Sequence, residues 1–403
     1  SFTPKVFAFT SVTDNIAEDT TWNLIDSPYV IQNDITISSG ATLTIEPGVV
    51  VKFIQDFSYF GVSISVFGKV VANGTNAEPI YFTSNYDDEV GGNTNDEEFC
   101  YEDIDENGNV LGEICESFDM GDPLAGDWGE IYFDNSSSSS FKNVYFRYAQ
   151  NTLTLYSSVV NFENLNINDS ISGLTAYEDS SVEIVDGVFN NLEEDALVIF
   201  NESSFTGKNL TIENVSFYFG NVIALFNNSS FSVENLKIDN IFADHTDVMV
   251  VFNNSDLSIK NSSFKNCPNE ACITFFDSRD AFYLTNPSSI NIENTVFEGG
   301  LGSGLISFGD TNISASIKNS SFKNFGLFAI KNYSDFTIDA KNNFWDDVSG
   351  PYHEILNAEG LGAPIYGNVS FDPWLKSYPP VTCCSSVLFL PGIEASTLYK
   401  QKE

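Results

Sequence analysis

The chain has 403 residues, and its 17 Lys plus Arg face 56 Asp plus Glu, which gives a formal net charge of −39. Recognition of nucleic-acid phosphates needs clustered basic residues, so nucleic acids are excluded as partners. Anionic lipid surfaces are disfavoured for the same reason. No apolar run reaches the length of a transmembrane helix, so we expect no direct membrane span. Cations and neutral glycans are the partners that this charge allows.

The first two predicted regions are a lead-in and a set of short strands. We expect residues 1–30 to be an irregular N-terminal cap over the first coil of a stacked structure. The chain opens at Ser1 without a signal peptide, as a mature secreted product would. From residue 31 onward, apolar residues alternate with polar ones, as in Ile35-Thr36-Ile37. This period of two predicts β-strands.

Residues 85–126 interrupt the strand pattern. They contain 14 acidic residues and no Lys or Arg. Asn107-Gly108 is a strong signal for a two-residue hairpin turn, and Cys100 and Cys115 lie symmetrically about it. Counting outward from the turn places the two cysteines opposite each other, where a disulfide fits. We interpret this segment as an acidic, disulfide-stapled hairpin insertion.

The same hairpin contains the start of a calcium-loop pattern. Asp103, Asp105 and Asn107, followed by Gly108, fit the D-x-D-x-N-G phrase, whose alternating oxygen ligands suit Ca²⁺. The closing Glu is displaced, because Glu113 stands one position too early. Two interpretations stay open: a Ca²⁺ site formed by these three residues and Glu113, or a plain hairpin with acidic flanks. Calcium is the one cofactor that the sequence suggests.

A repeated phrase between about residues 135 and 345 predicts the fold. Its polar column is separated by steps of 21, 22, 23, 26, 26, 33 and 25 residues. A period of this length indicates a stacked architecture, and the content of Phe, Ile, Val, Ser, Thr and Asn excludes helical repeats. We predict an all-β fold, a right-handed parallel β-helix with three sides and about a dozen coils, over residues 31–375. The column consists of Asn143, Asn164, Asp186, Asn209, Asn235, Asn261, Asn294 and Asn319.

Stacked coils place equivalent residues about 4.8 Å apart, so each column has a predicted role. The polar column is expected to form a side-chain ladder at a turn, because Asn tolerates left-handed backbone. Two apolar columns are expected to point inward. One comprises Phe200, Phe226, Phe252, Phe276 and Phe308, and the other Ile167, Phe189, Ile212, Ile238, Phe264, Phe297 and Phe322.

The remaining cysteines indicate an oxidising compartment. Cys267 and Cys272 are close enough to staple one loop, whereas the partners of the adjacent Cys383 and Cys384 stay open. Zinc is the alternative, but the chain has no Cys-x-x-Cys and two His. Disulfides are therefore favoured, and they predict an extracellular or cell-surface location.

Several phrases carry a family resemblance. "ATLTIEPGVVVKF", "PIYFTS", "GDWGEIYF" and the segment from Asn342 to Leu375 resemble phrases of bacterial secreted and cell-surface right-handed β-helix repeat proteins. The resemblance covers roughly residues 22–375, and the last phrase is similar to the element that ends such a helix. It implies a role among stalks, adhesins and carbohydrate-active proteins, since this fold hosts all of them.

Residues 376–403 form a linker and tail with a different character. Ser386 to Tyr399 resembles the first core strand and following loop of α/β-hydrolases of the lecithin–cholesterol acyltransferase and lipase type. The resemblance implies that backbone N–H groups of Gly392 and Ile393 face a developing oxyanion in a hydrolase domain continuing past Glu403. No G-x-S-x-G nucleophile elbow occurs in the 403 residues. The alternative is an apolar strand that caps the solenoid or pairs with another copy.

The sequence predicts a secreted or cell-surface β-helix that acts as a rigid stalk, adhesion module or carbohydrate-binding platform. The resemblance of the tail implies that it is the accessory part of a larger lipase- or esterase-like protein. One alternative is a polysaccharide-degrading lyase or glycoside hydrolase. Catalysis by residues 1–403 is not favoured, because a lyase needs Lys or Arg near the acidic sugar, whereas Arg147 and Arg279 are the two Arg of the chain and its Lys are scattered. Another alternative is a filament subunit that self-associates through its C-terminal strand. A glycan or another cell-surface component is the expected partner.

Overall fold

The computed structural model describes residues 9–55, 61–95, 97–104, 110–118, 121–136, 138–217, 221–243, 247–266, 271–276, 289–299, 302–307 and 314–379, with backbone alone between 97 and 118. Within these ranges the chain forms 34 strands and a single 3₁₀ turn at Leu24–Asp26. None of the described helical segments is long and apolar enough to span a membrane.

Most strands are short, and the longest lie in the middle of the chain. Their bounds are β1 Thr10–Val12, β2 Thr20–Trp22, β3 Tyr29–Ile31, β4 Ile35–Ile37, β5 Thr42–Ile45, β6 Val50–Phe53, β7 Ile64–Val66, β8 Lys69–Asn73, β9 Ile80–Ser84, β10 Glu97–Ile104, β11 Val110–Phe118, β12 Ile131–Asp134, β13 Ser139–Arg147, β14 Asn151–Tyr156, β15 Val159–Ser170, β16 Ser172–Tyr177, β17 Ser181–Leu192, β18 Leu197–Ile199, β19 Ser204–Phe217, β20 Ile223–Leu225, β21 Ser230–Ala243, β22 Met249–Phe252, β23 Asp256–Lys260, β24 Ser263–Lys265, β25 Ala271–Phe276, β26 Ser289–Glu293, β27 Val296–Glu298, β28 Ser303–Ser307, β29 Ser314–Lys318, β30 Ser321–Lys323, β31 Ile330–Asn332, β32 Ile338–Asp339, β33 Ile365–Tyr366 and β34 Val369–Ser370.

These strands build a parallel solenoid. Sheet A contains 20 strands and sheet B contains 12, one from each successive coil, while β10 and β11 form a separate pair. In the middle coils a single long strand of sheet A, such as β15 or β17, covers two sides, and a strand of sheet B covers the third. Each coil pairs in parallel with the next coil. The predicted parallel β-helix is confirmed.

The interior is a set of apolar columns that run the length of the solenoid. Phe189, Ile212 and Ile238 occupy equivalent positions in neighbouring coils and are almost fully buried. Farther along, Phe297 stacks on Phe264 and Phe322 with ring centroids 5.2 and 4.9 Å apart. Offset ring stacking of this kind adds to the burial of apolar surface. The second predicted inward column is therefore confirmed.

The first predicted inward column points the other way. Phe200, Phe226 and Phe252 do stack on one another, with centroids 4.6 and 4.9 Å apart, but they lie on the outer face of sheet B. The inward position belongs to the residue just before each Phe, such as Ile199 and Leu225. Side chains alternate across a strand, so this one-residue offset places these three phenylalanines on the surface. Phe308 and the side chain of Phe276 lie outside the described residues.

The N-terminal region differs from the expected irregular lead-in. Strand β1 pairs in parallel with β3, and β2 pairs with β5. Ile16 forms a bridge to Ile37 between these two pairings. Residues 10–22 therefore build the first coil, and Trp22 stacks on Tyr29 of the next coil with ring centroids 4.9 Å apart.

The polar column occupies the corner between the two sides covered by sheet A. All eight residues have left-handed backbone, with φ between 48° and 60°. Asn164 donates to the side-chain oxygen of Asn143 at 2.8 Å, and Asn235 donates to Asn209 at 2.8 Å. Asn209 in turn donates to Asp186 at 2.7 Å. These bonds connect side chains of successive coils and offset the strain of a left-handed non-glycine residue.

Substitutions at Asn209 separate the contribution of the ladder hydrogen bonds to stability from that of the left-handed backbone. Asn209→Gly keeps the left-handed backbone and loses the ladder bonds, whereas Asn209→Ala loses the bonds and adds backbone strain. We expect Asn209→Ala to lower the free energy of unfolding by about 2 kcal/mol relative to wild type. Asn209→Gly should lower it by about 1 kcal/mol, because it avoids the backbone strain. Urea denaturation measures both values, and equal losses would contradict a role for the left-handed corner.

Candidate functional site

The insertion begins where the strand pattern breaks, and its outer part is the β10–β11 hairpin. The two strands are antiparallel and Cys100 lies opposite Cys115, as predicted from the turn. The disulfide itself stays a prediction. Asp103 pairs with Gly112, and Glu113 pairs with Glu102, so Asp103 and Glu113 are neighbours in the ladder but not partners. The other proposed calcium ligands, Asp105 and Asn107, lie outside the described residues, so the calcium site also stays a prediction.

The first part of the insertion lies across the outer face of sheet A. At Gly91, with φ of 69°, an added Cβ would stand 3.1 Å from Val50 Cγ1 and 3.3 Å from Lys52 Cε. The backbone therefore packs directly on the strand beneath it, and glycine is needed both for this contact and for the left-handed conformation. This segment, residues 85–92, is called the strap below.

A buried lysine fastens the strap. Lys52 is fully buried, and its ammonium group donates to the backbone carbonyl of Asp87 at 2.8 Å and to that of Gly92. Burial lowers the pKa of Lys52 to about 8, while the charges of Asp87 and Asp88 act in the opposite direction. The strap thus supplies the hydrogen-bond acceptors that a buried lysine requires.

A guanidinium group makes the second attachment. Arg147 Nη1 lies 3.2 Å from Asp87 Oδ2, and Nη2 lies 2.9 Å from Glu89 Oε2. Nη2 also donates to the hydroxyl of Tyr148 at 2.9 Å. The Asp87 carboxylate is fully buried and accepts a further bond from Thr83 Oγ1 at 2.6 Å. A buried charge needs such a complete set of partners, so this network anchors the strap to sheet A.

The end of the insertion is anchored by a different buried acid. Asp127 accepts hydrogen bonds from Ser84 Oγ at 2.7 Å, from the backbone N–H of Leu124 at 3.0 Å and from Gln55 Nε2 at 3.2 Å. Burial raises the pKa of Asp127, and the bonds from Ser84 and Leu124 oppose that rise. Because its oxygens are occupied by donors of the insertion and of neighbouring strands, Asp127 has a structural role.

The two anchored ends of the insertion enclose a cleft. A cavity of about 310 Å³ lies between the strap and residues 121–123, and a second of about 360 Å³ adjoins it. These volumes are at the lower end of the range for ligand sites. The insertion cleft is lined by Tyr86, Asp87, Asp88, Glu89, Gly121, Asp122, Pro123 and Tyr148, and the adjoining cavity adds Gln55, Leu124 and Asp127.

The outer surface of sheet B forms a second unusual region, called the aromatic face. One column of this surface is aromatic in every described coil from β7 to β22 except at Asp134. Tyr177 stacks on Phe200 with centroids 5.0 Å apart and continues the stack of phenylalanines described above. The described members of the column are Phe67, Asp134, Tyr156, Tyr177, Phe200, Phe226, Phe252 and Tyr333.

Other residues singled out from the sequence fall outside this site. Cys272 is buried in the core, and its proposed partner Cys267 lies outside the described residues, as do Arg279, Cys383, Cys384, Gly392 and Ile393. In the part of the chain whose side chains are described, no three His, Cys, Asp or Glu converge as metal ligands. The anchoring roles of Lys52 and Arg147 were not predicted from the sequence, although a lysine within the apolar strand Val50–Phe53 is a signal for a buried lysine.

Replacing Lys52 tests the anchoring of the strap. Lys52→Met leaves the carbonyls of Asp87 and Gly92 without their donor, so we expect a loss of roughly 1–3 kcal/mol in the free energy of unfolding. Lys142→Met is the control, because Lys142 makes an exposed ion pair with Glu163 that contributes little. Denaturant titration measures both, and equal losses would show that Lys52 does not hold the strap.

The pH dependence of the same pair of proteins gives an independent test. The pKa of Lys52 is about 8 in the folded state and 10.5 in the absence of burial. Between these values the unfolded chain binds more protons, so the contribution of Lys52 to stability rises with pH. The deficit of Lys52→Met relative to wild type should therefore grow from pH 8 to pH 10. A deficit that shrinks over this interval would contradict the burial of a cationic lysine.

Two family models match parts of the chain. Residues 14–94 match a pectate-lyase-like β-helix domain, and residues 153–281 match a right-handed β-helix region. The first match ends two residues after the strap, so it contains Lys52 and Asp87 but not Arg147. No curated protein matches the sequence.

Solved structures of low sequence identity share the architecture. A double mutant of the periplasmic alginate epimerase AlgG has a TM-score of 0.57 at 10% identity, covering 89% of this chain and 82% of that one. A single mutant of the same epimerase has a TM-score of 0.51 at 9% identity, covering 88% and 84%. The catalytic unit of a GH87 α-1,3-glucanase from Streptomyces thermodiastaticus has a TM-score of 0.48 at 12% identity, covering 87% and 62%. The chain is thus a right-handed parallel β-solenoid, and its residues 14–94 are similar to pectate-lyase-like β-helix domains.

Proposed function

We propose that the protein is an extracellular or cell-surface carbohydrate-binding platform, and that the insertion cleft binds a neutral glycan. The observation that carries this proposal is the lining of the cleft, in which the rings of Tyr86 and Tyr148 lie among the acidic residues of the strap and Asp122. Sugar rings present apolar C–H faces and many hydroxyl donors. Aromatic rings and carboxylate acceptors satisfy both requirements.

The charge of the cleft selects against acidic sugars. Asp87, Asp88, Glu89 and Asp122 line it, and the guanidinium group of Arg147 is already paired with Asp87 and Glu89. Lys52 is enclosed beneath the strap. A uronate would therefore bring its carboxylate next to acidic side chains without gaining a cation. Neutral hexose or amino-sugar polymers have no such penalty.

The solenoid suits a platform because the cleft belongs to a rigid body. Parallel coils connect the strands beneath the strap, β6 and β9, to every later coil through continuous pairing. Binding sites placed on rigid elements keep their geometry and lose little entropy on binding. The cleft therefore holds its ligand at a fixed position along a rod, as a stalk or an adhesion module requires.

The binding proposal is tested by calorimetric titration of the full chain with neutral oligosaccharides and with oligouronates. We expect binding by at least one neutral series and none by oligouronates. Asp122→Asn should weaken neutral-glycan binding about tenfold or less, and Tyr148→Ala should weaken it by tenfold or more. Tyr366→Ala is the matched control, because Tyr366 is an exposed tyrosine on sheet B, far from the cleft.

The results of this titration distinguish a glycan-binding platform from a polysaccharide-degrading enzyme. Preferential binding of oligouronates, or equal effects of Tyr148→Ala and Tyr366→Ala, would contradict the proposal. Release of new reducing ends or unsaturated sugars from a polymer would instead support the polysaccharide-degrading alternative.

Calcium binding by the hairpin and a hydrolase domain after the tail remain further proposals. If Asp103 and Asp105 bind Ca²⁺ of the extracellular type, about 1–3 mM Ca²⁺ should raise the melting temperature of wild type. The same addition should leave Asp103→Ala plus Asp105→Ala unchanged. An equal response of both proteins would leave the plain hairpin interpretation.

A further inference from the structure

We infer that the aromatic face of sheet B is a self-association surface on which a second copy of this chain docks. This inference is independent of glycan binding, because sheet B and the insertion cleft are different surfaces of the solenoid. The charge, the exposure and the area of the aromatic face indicate that its partner is a second copy of this chain.

The distribution of charge distinguishes the two sheets. Within the bounds of the 12 strands of sheet B, Asp134 and Lys331 are the only charged residues, and Glu130, directly before β12, adds a carboxylate that accepts a hydrogen bond from Thr154. Most strands of sheet A carry Lys, Arg, Asp or Glu, as in β15, β19 and β21. Two copies of a chain with a net charge of −39 repel each other over most of their surface. The strands of sheet B therefore contribute fewer charged side chains to a contact between two copies than the strands of sheet A do.

The side chains of this face are those that protein interfaces contain. Tyr156 is 41% exposed and Tyr333 is 48% exposed, and both lie in the aromatic column. Between them, the rings of Phe200, Phe226 and Phe252 cover Val198, Ala224 and Val250, so an apolar layer already exists outside the core. Interface centres are enriched in Tyr and Phe and depleted of charge.

The stacking of the rings favours a protein surface over a sugar. Tyr177, Phe200 and Phe226 stack with interplanar angles of 5° and 9°, so their faces contact one another and their edges point outward. Sugars bind aromatic residues through the ring face, which is occupied here. Ring edges and aliphatic side chains pack well against a second apolar surface.

The area is sufficient for a dimer of moderate affinity. Twelve strands about 4.8 Å apart give a face about 55 Å long, and three to four residues of each strand give a width of about 10–13 Å. The product is roughly 600 Å² per copy, slightly below the roughly 800 Å² of a standard interface. An antiparallel arrangement about a twofold axis brings the same face of both copies together and closes the assembly as a dimer.

Sedimentation of the full chain at concentrations from about 1 to 300 µM tests this surface. We expect the weight-average mass to rise from monomer toward dimer, and to rise further at high salt, which screens the remaining repulsion. Thr175→Glu adds a charge to the aromatic face and should weaken dimerisation at least about tenfold. Thr211→Glu is the matched control, because Thr211 is an outward, half-buried threonine in a strand of sheet A. It should change the dimer constant by less than about twofold.

Three outcomes would overturn the inference. Wild type could remain monomeric over the whole range at both salt concentrations. Both Glu variants could weaken association equally, which would place the contact elsewhere or reflect charge alone. Thr175→Glu could abolish glycan binding without affecting association, which would make the aromatic face a glycan site. Loss of glycan binding in Tyr148→Ala with an unchanged dimer constant would leave this inference intact, so the two proposals fail separately.

Discussion

The structure depends on the direct stacking of equivalent residues in successive parallel coils. Because each coil repeats the backbone path of the one before it, a side chain contacts its own counterpart above and below. This produces the phenylalanine stacks of the core, the corner column in which Asn209 contacts Asp186 and Asn235, and the aromatic column outside sheet B. Stability is thus distributed over nearest-neighbour contacts, and the surfaces become long columns of one chemical type.

The same stacking explains why the proposed binding site lies where the pattern breaks. Regular coils present columns with little concave surface, so a cleft requires an insertion that stands away from the rod. Here the insertion returns over the outer face of sheet A, where Lys52 and Arg147 bind the strap and Asp127 holds the other end. Buried charges in this arrangement are fully paired, and they specify one position for the strap. In the proposed glycan-binding function, the acidic lining favours neutral sugars over uronates.

The sequence predicted the fold well because its information is periodic. Recurrence of Asn143, Asn164 and Asn209 set the coil length, and the alternation of apolar residues set the strands. The prediction of which residues of sheet B point inward was wrong. Segments such as Leu197 to Phe200 are apolar on both faces, so the alternation of apolar and polar residues carries no information there. The first coil was missed because strands of three residues, such as Thr10–Val12, are too short for a pattern. The anchors of the strap were missed because Lys52 and Asp87 are 35 residues apart and are joined by an insertion that follows no repeat.

The central claim is that a neutral glycan occupies the insertion cleft, and hydrogen–deuterium exchange of the full chain with and without neutral oligosaccharides tests it most directly. The account predicts slower exchange in the strap, residues 85–92, and in the strand end that contains Arg147 and Tyr148, because the ligand closes the cleft between them. Exchange in β18 and β20 of sheet B should not change. Protection confined to sheet B, or no protection at any neutral glycan concentration that saturates binding, would contradict the account.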